Sequence, residues 1–294
     1  MNPLNDLRRL LLQEDLNFLL TNRVPRHALT RFMGWFSQIR RPWVRDLSMA
    51  TWRLFTDLDL NDAKKLKFDS LHDCFIRELQ PGARPIVADP DVLVCPCDAI
   101  VGACGPVQGL TVFQASGFPC TLADLFGDAG DAAPWRDGCF ATLRLRSSMS
   151  HRFHAPDGLT VKRVVHRHGD TWNVNPIALR RIESLFCKNE RAVLHCRLDA
   201  DQAPVALVPV AAILVASLRP VFLDLLLNRQ YHGPHDLACA VHFERGQEMG
   251  WFQHGSTVIV FAPRGFELAP DVADGRGIRV GQALMRRCHA DVMT

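Results

Sequence analysis

The chain has 294 residues, of which 48% are hydrophobic and 22% are charged, as in an ordinary globular protein and unlike a disordered one. Its formal net charge of +3 is too small to argue for nucleic acid, and we expect no nucleic-acid partner. Ten scattered cysteines in a chain of this length do not make a disulfide scaffold, so we expect most of them to be reduced, as in the cytosol.

Residues 1–85 are predicted to form a helical region of their own. Leucines recur at helical spacing within the first twelve residues, and acidic residues among them argue against a secretory signal. Pro25 and Pro42 divide the region into short helices, and residues 68–85 begin as a further helix. The segment Gln80–Pro85 is rich in Pro and Gly, which places the domain boundary near residue 85.

The stretch Arg23–Arg53 carries seven arginines against one acidic residue, and three tryptophans are interleaved with them: Trp35, Trp43 and Trp52. Basic residues opposite aromatic ones are typical of a helix that lies in a membrane interface beside anionic headgroups. An amphipathic helix that packs on its own domain would give the same pattern. The tryptophans favour the membrane alternative, so we expect residues 1–85 to be membrane-associating.

From Ile86 onward, short apolar runs alternate with Gly, Pro and Asp, which predicts a β-rich catalytic domain over residues 86–294. The fold class expected is therefore α+β, with a core that is a sandwich or barrel-like. Asp124–Asp131 is predicted to be a loop. Residues 202–218 form the longest uncharged run, but 17 residues with two prolines are too short to span a bilayer and fit core strands better.

The strongest candidate for chemistry is Gly255-Ser256, directly before the apolar run Thr257–Phe261. That run predicts a buried strand whose preceding residue carries a hydroxyl. Glycine can hold the peptide before the serine in a strained conformation, so that the serine is placed to attack its own backbone. A plain turn into a strand would give the same residues.

Two other stretches carry polar residues that complete a catalytic set. Asp98 lies between two apolar runs, and His151 and His154 precede a Pro-Asp-Gly turn. A turn aspartate and two surface-loop histidines are the structural alternatives. Together with Ser256, these residues supply the carboxylate, imidazole and hydroxyl that activate a serine, because the carboxylate orients the ring and the ring takes the hydroxyl proton.

A metal site has to be weighed because several thiols and imidazoles occur in the same part of the chain: Cys95, Cys97, His151, His154, His166 and His168. However, Cys-x-Cys is not the usual zinc-knuckle spacing, and no second matching pair follows it. The expectation from sequence is therefore that the site holds no metal.

Between Leu29 and Leu284 the chain carries a series of segments in this order: Phe75-Ile76-Arg77, Arg84-Pro85-Ile86, Pro96-Cys97-Asp98-Ala99, Gln114-Ala115-Ser116-Gly117, His151-Arg152-Phe153-His154-Ala155-Pro156, Val174-Asn175-Pro176, Leu185-Phe186-Cys187-Lys188-Asn189-Glu190-Arg191, Gly246-Gln247-Glu248-Met249-Gly250-Trp251-Phe252, Gly255-Ser256-Thr257-Val258 and Phe261-Ala262-Pro263. In this combination and order, they resemble the phosphatidylserine decarboxylases of the short bacterial type.

The resemblance implies a proenzyme that cuts itself between Gly255 and Ser256. The catalytic residues it implies are Asp98, His154 and Ser256, with His151 as a second histidine that donates a proton during turnover. Ser256 would become a covalent pyruvoyl group, which forms a Schiff base with phosphatidylserine and yields phosphatidylethanolamine and CO2. Residues 1–255 and 256–294 would be the large and small chains.

The same resemblance implies partners and a location. The substrate would be phosphatidylserine in an anionic membrane surface, reached from the cytoplasmic side by a peripheral enzyme of the cell membrane. The large and small chains would remain associated, and a homodimer is left open. The chain departs from the family pattern at His254, at Ser150 and in Val210–Ser217, where Ala stands in place of Gly; none of these changes removes a catalytic group.

Two other functions are open at this stage. A serine hydrolase could use the same three residues, although Ser256 is not within a Gly-x-Ser-x-Gly elbow. An uncleaved, membrane-surface binding protein could retain the fold without the chemistry. Both would keep Ser256 intact.

Overall fold

The structure is a computed structural model that describes residues 26–113, 118–213, 217–253 and 256–288. The helix predicted within residues 1–25, the argument against a secretory signal, and residues His254 and Gly255 lie outside the described residues. The described helices are α1 (Arg26–Phe36), α2 (Pro42–Phe55), α3 (Leu71–Phe75), α4 (Leu122–Phe126), α5 (Ala129–Ala132), α6 (Pro176–Arg181) and α7 (Leu185–Lys188), with one 3-10 turn (Ala133–Trp135).

The described strands are β1 (Val92–Val94), β2 (Ala99–Pro106), β3 (Thr111–Phe113), β4 (Pro119–Thr121), β5 (Cys139–Arg144), β6 (Arg152–His154), β7 (Leu159–Arg167), β8 (Arg191–Leu198), β9 (Pro204–Ala211), β10 (Ser217–Pro220), β11 (Leu227–Asn228), β12 (Asp236–Phe243), β13 (Glu248–Phe252), β14 (Ser256–Ala262), β15 (Phe266–Leu268), β16 (Gly277–Ile278) and β17 (Ala283–Arg287).

An eight-stranded sheet in the order β12-β7-β8-β9-β14-β5-β2-β16 forms the centre of the protein, and its neighbouring strands are antiparallel. Smaller sheets are β11-β10-β13-β6, β1-β17-β15 and β3-β4. The described strands form no closed barrel, because the large sheet ends at β12 on one side and at β16 on the other. The expectation of an α+β, strand-rich protein is therefore confirmed.

Strand β14 shows how the large sheet separates two cores. Val258 and Val260 face a core shared with the smaller sheets, so this side has the arrangement of a sandwich. Ile259 and Phe261 face a second core built with α4, α6 and α7. Successive side chains of a strand point to opposite faces, which is why a continuous apolar run serves a strand buried on both sides.

The predicted division of the N-terminal region into short helices holds for α1 and α2. Pro42 begins α2, where its missing N–H costs no hydrogen bond. Residues 42–75 have a small core of their own around Ala63, Phe68 and Cys74, against which Trp52 packs.

None of the helices in the described ranges is long and apolar enough to cross a membrane. The domain boundary near residue 85 stays a prediction.

The sequence predicts a loop over Asp124–Asp131, but α4 and α5 occupy most of that segment. Thr121 begins α4 as an N-cap whose side chain accepts a hydrogen bond from the Asp124 N–H. Gly127 ends that helix with a φ of 80°, and Asp128 caps α5. Gly127 and Asp128 are thus helix-end signals rather than signs of an extended loop.

Most of the cysteines are unpaired, while the expectation that they are reduced as in the cytosol stays a prediction. A disulfide joins Cys120 of β4 to Cys187 of α7. The other eight cysteines are free thiols, and most of them are buried.

Candidate active site

Asp98 lies immediately before β2, and its carboxylate is buried against an arginine. Arg84 donates from Nε to Oδ1 at 2.9 Å and from Nη2 to Oδ2 at 2.7 Å. The backbone N–H of Val280 donates to Oδ1 at 3.0 Å. These charge-assisted bonds raise the pKa of Arg84 and compensate the burial of the carboxylate. Arg84 also bonds Asp62 at 2.7 Å, so it joins the N-terminal region to the end of β2.

His154 ends β6 and is tied to the segment that leads into Asp98. Its Nδ1 lies 3.1 Å from the carbonyl oxygen of Pro96, and its backbone N–H donates to the same oxygen at 2.8 Å. A carbonyl only accepts, so Nδ1 carries the proton and Nε2 has the lone pair. Burial lowers the pKa of His154, which keeps the ring neutral near pH 7. A neutral imidazole with Nε2 unprotonated is the form that acts as a base.

His151 is fully buried in the wall between the N-terminal region and the sheets. Its ring packs against that of Phe75 of α3 in a tilted arrangement with centroids 3.9 Å apart, and Nδ1 lies 3.0 Å from the Met149 carbonyl oxygen. The His151 carbonyl accepts a hydrogen bond from the N–H of Phe252, the last residue of β13. His151 is thus hydrogen-bonded to the last residue of the strand that precedes Ser256 in sequence.

Ser256 is the first residue of β14, and the structure describes its backbone. It is paired with Ala211 at the end of β9. Thr257, the next residue, is paired with Arg144 of β5, and Arg144 is paired with Ile100 of β2. Asp98 and Ser256 therefore come to the same end of the large sheet. Two strand spacings separate the backbones of β14 and β2, a distance of about 10 Å.

The structure thus brings Asp98, His154, His151 and the start of β14 to one end of the large sheet. It differs in one respect from the sequence-based expectation, in which Asp98 orients the histidine ring. The Asp98 carboxylate hydrogen-bonds to Arg84 and Val280 in the described part of the chain, while the His154 ring is oriented by the Pro96 carbonyl. Burial has the largest effect on the pKa of His154 and lowers it, while the Pro96 carbonyl and the negative charges of Glu248 and Asp98 raise it. The catalytic roles of these residues stay predictions.

Two cavities open on this end of the sheet. One, of about 410 Å³, is polar and is lined by Asp98, Arg84, Arg146 and Ser150 among others. The other, of about 830 Å³, lies between α1, α2 and the sheet, and its wall is mainly apolar. Arg146 lines both cavities. An amphiphile with a charged head and apolar tails could therefore occupy both at once.

Sequence reasoning missed the arginines that hold this region together. Arg152 of β6 bonds Glu248 of β13 at 2.6 Å and also donates to the carbonyls of Ile76 and Arg77. Together with Arg84, it joins the N-terminal region to both the large and the four-stranded sheet. The available signal was the position of these residues inside the segments that carry the resemblance, beside Asp98 and His154.

Comparison with known proteins gives a consistent result. Residues 71–286 match the family described as phosphatidylserine decarboxylase, and residues 16–48 match a second one described as PSD. The phosphatidylserine decarboxylase proenzyme of Bordetella pertussis is 36% identical over 271 residues, covering 88% of this chain and 90% of the relative. The proenzymes of Xanthomonas euvesicatoria and Pseudomonas aeruginosa are 34% and 31% identical, covering 91% and 89% of this chain and 98% and 93% of themselves.

These matches extend over the two cores, the paired strands around Ser256 and the residues that surround Asp98, rather than over a short motif alone. The chain belongs to the phosphatidylserine decarboxylase family.

Proposed function

We propose that this chain decarboxylates phosphatidylserine to phosphatidylethanolamine and CO2, after it has cut itself between Gly255 and Ser256. Membership of the family supports the reaction. The structural observation that carries the substrate class is the apolar cavity of about 830 Å³ between α1, α2 and the sheet end at which β14 begins. Its size and lining suit the acyl chains of a lipid, and the adjoining polar cavity suits a charged headgroup.

Maturation begins at the Ser256 hydroxyl, which attacks the Gly255 carbonyl carbon and turns the amide into an ester. Elimination releases Gly255 as a carboxylate and leaves dehydroalanine at position 256. Tautomerisation and hydrolysis then give ammonia and a pyruvoyl group at the start of the chain 256–294. That group supplies the electron sink that loss of CO2 from the substrate requires.

His154 is the base that takes the hydroxyl proton. Its Nδ1 is held by the Pro96 carbonyl, so Nε2 presents the lone pair. The negative charges of Glu248 and Asp98 both favour the imidazolium that forms when the proton arrives. Arg84 and Val280 hold the Asp98 carboxylate in place, so Asp98 acts on the ring through its charge and not through a hydrogen bond.

The surroundings of position 256 fit a small keto group at a strand end. The apolar cavity extends to Ala212 and Ile213, which directly follow the residue paired with Ser256. It also reaches Arg144 and Leu145 on the other side of β14. Space therefore adjoins position 256 on both flanks, where a substrate amine can approach.

The two chains remain associated after the cut because β14 is paired on both of its edges. It forms ladders with β5 and β9, both of which belong to the large chain. The small chain also contributes β16, which pairs with β2, and β17, which pairs with β1.

The first prediction concerns maturation. Wild-type protein should appear as two chains, with the terminus of the smaller one blocked to Edman sequencing by its keto group. Ser256→Ala should remain a single chain, and His154→Ala and Asp98→Asn should remain largely full length because the base or its charge partner is lost. Intact mass spectrometry measures the fraction cut.

His242→Ala and Asp271→Asn are the matched controls, since both residues are exposed and outside the site, and both variants should be cut as wild type is. A wild-type chain with its full mass would instead support a serine hydrolase or an uncleaved binding protein. Cleavage of His154→Ala at the wild-type rate would remove His154 as the base.

The second prediction concerns pH. Because burial lowers the pKa of His154 below its ordinary value of 6.5, most of the rings are still neutral at pH 6.5. Self-cleavage at that pH should therefore run at more than half of its plateau rate and should fall only at lower pH. Precursor half-life across a pH series is the measurement. A rate already below half at pH 6.5 would contradict a base with a lowered pKa.

His151 has a separate role, as the proton donor to the carbanion left by CO2. It lies beside Phe75, which lines the apolar cavity, and therefore close to where the substrate tails and the reacting carbon meet. The third prediction is that His151→Ala is cut into two chains, carries the pyruvoyl group and shows at least about a hundredfold lower turnover. Phosphatidylethanolamine formation by the cleaved fraction is the readout; turnover near that of wild type would exclude His151.

The enzyme reaches its substrate as a peripheral protein on the cytoplasmic face of the cell membrane, with α1 and α2 in contact with the lipid. Their large apolar side chains are exposed, with Trp35 at 64% and Trp43 at 68%. Arg40 and Arg41 lie exposed between the two helices. Aromatic and aliphatic side chains beside arginines suit an anionic interface, and the apolar cavity opens behind them.

The fourth prediction tests that surface. Arg40→Glu/Arg41→Glu should bind vesicles of phosphatidylglycerol more weakly by at least about 2 kcal/mol, roughly thirtyfold, because each lost arginine contributes about 1 kcal/mol near an anionic surface and each glutamate is repelled by it. Self-cleavage should be unchanged. Trp35→Ala/Trp43→Ala should reduce the part of binding that survives high salt, since apolar insertion is not screened.

The control is Arg136→Glu/Arg264→Glu, which makes the same charge change with exposed residues near the opposite end of β14. Its vesicle binding should be much closer to that of wild type than the binding of the Arg40/Arg41 variant is. Co-sedimentation at low and high salt is the measurement. Equal binding by the Arg40/Arg41 variant and wild type would show that α1 and α2 are not the membrane-binding surface.

A further inference from the structure

Three histidines meet at the end of β7, on a part of the large sheet that the proposed reaction does not use. His166 and His168 are two residues apart, so their side chains leave the chain on the same side. His235 precedes β12, and its carbonyl accepts the His166 N–H at 2.7 Å. One ring nitrogen from each of the three lies within 4.8 Å of the others.

A buried carboxylate orients the innermost ring. Glu190 Oε1 lies 3.0 Å from His166 Nε2, and both side chains are almost completely buried. A carboxylate accepts, so Nε2 carries the proton and the lone pair of His166 is on Nδ1. That lone pair points at the cluster, because Nδ1 lies 3.1 Å from Nδ1 of His235. A carboxylate behind a histidine in this manner is the usual outer partner of a metal-bound imidazole.

The charge of Glu190 supports the same conclusion. Its second oxygen, Oε2, is buried and has no hydrogen-bond partner among the residues that the structure describes. The neighbouring Arg191 does not compensate it by hydrogen bonding, since its guanidinium donates to backbone carbonyls, including those of Leu125 and Cys187. A buried carboxylate is costly without positive charge nearby. A cation bound to the His166 ring would supply that charge.

The spacing of the rings is close to what a tetrahedral ion requires. Zinc–nitrogen bonds of about 2.0–2.1 Å place two ligand nitrogens about 3.3 Å apart. The 3.1 Å between the Nδ1 atoms of His166 and His235 is near that value. The widest separation between ligand nitrogens of the three rings, 4.8 Å, has to shorten by about 1.5 Å for all three to bind one ion. His168 and His235 are exposed, so their rings can rotate to do so.

We propose that His166, His168 and His235 bind a divalent transition-metal ion, foremost Zn²⁺, with Glu190 orienting His166. Imidazole nitrogens suit Zn²⁺, and three of them leave a fourth position for water. The sequence-based expectation of no metal considered His166 and His168 but not His235, which lies 69 residues after His166. Only the antiparallel pairing of β7 with β12 brings them together.

The ion is separate from the site at Ser256. His166 is paired with Ala192 of β8, Arg191 of β8 with Val210 of β9, and Ser256 with Ala211 of β9. Three strand spacings, about 14 Å, therefore lie between the backbones of β7 and β14. The proposed reaction does not use this ion, so its binding can be tested without measuring activity.

The test uses tag-free, full-length protein that has been stripped with EDTA and dialysed. Calorimetric titration with Zn²⁺ should show one ion per chain, and Co²⁺ in its place should give the intense visible absorption of a four-coordinate site. His168→Ala and His235→Ala should each weaken Zn²⁺ binding by at least about a hundredfold. Glu190→Gln, which removes the outer partner, should weaken binding by about 10–100-fold.

His242→Ala is the matched control, since it removes an exposed histidine from the other end of β12 and should bind Zn²⁺ as wild type does. Because His168 and His235 are exposed, their loss should leave the fold intact, which circular dichroism checks. The proposal is overturned if stripped wild-type protein takes up no Zn²⁺, or if either alanine variant binds it as tightly as wild type.

Discussion

The register of β14 between β5 and β9 is the constraint on which the site depends. Val258 and Val260 are committed to one core, and Ile259 and Phe261 to the other. A slip by one residue would exchange all of these side chains between the two cores, so the register is fixed from both faces. The same register places Ser256 beside Ala211 at the end of the sheet. Core packing on both faces thus fixes where the backbone of Ser256 lies.

A second constraint is the buried ion pair of Arg84 with Asp98, which joins the N-terminal region to that sheet end. Loss of one member of a buried pair usually costs about 3–5 kcal/mol, because the other charge is left unpaired. Arg152 makes a parallel connection from β6 to the carbonyls of Ile76 and Arg77. The segments that follow α2 and α3 are therefore anchored to the sheet end at which Asp98 lies.

Local signals in the sequence were sufficient for much of the fold, including the helices after Pro25 and at Pro42 and the strand after Gly255-Ser256. They failed where the answer depends on distant residues. The uncharged run 202–218 does form core strands, but β9 belongs to the large sheet and β10 to the four-stranded sheet, and periodicity does not show where a chain leaves a sheet. Likewise, nothing local reveals that Asp98 binds Arg84 or that His235 joins His166.

The central position of β14 has a consequence for the lifetime of the protein. A cut before Ser256 divides the eight-stranded sheet between two polypeptides, although the strand was placed there by a single continuous chain. Once unfolded, the two pieces would have to find each other in solution, a bimolecular and concentration-dependent event. Each molecule would then fold only once, as the uncut precursor. The persistence of the mature form would depend on how slowly it unfolds, rather than on an equilibrium to which it can return.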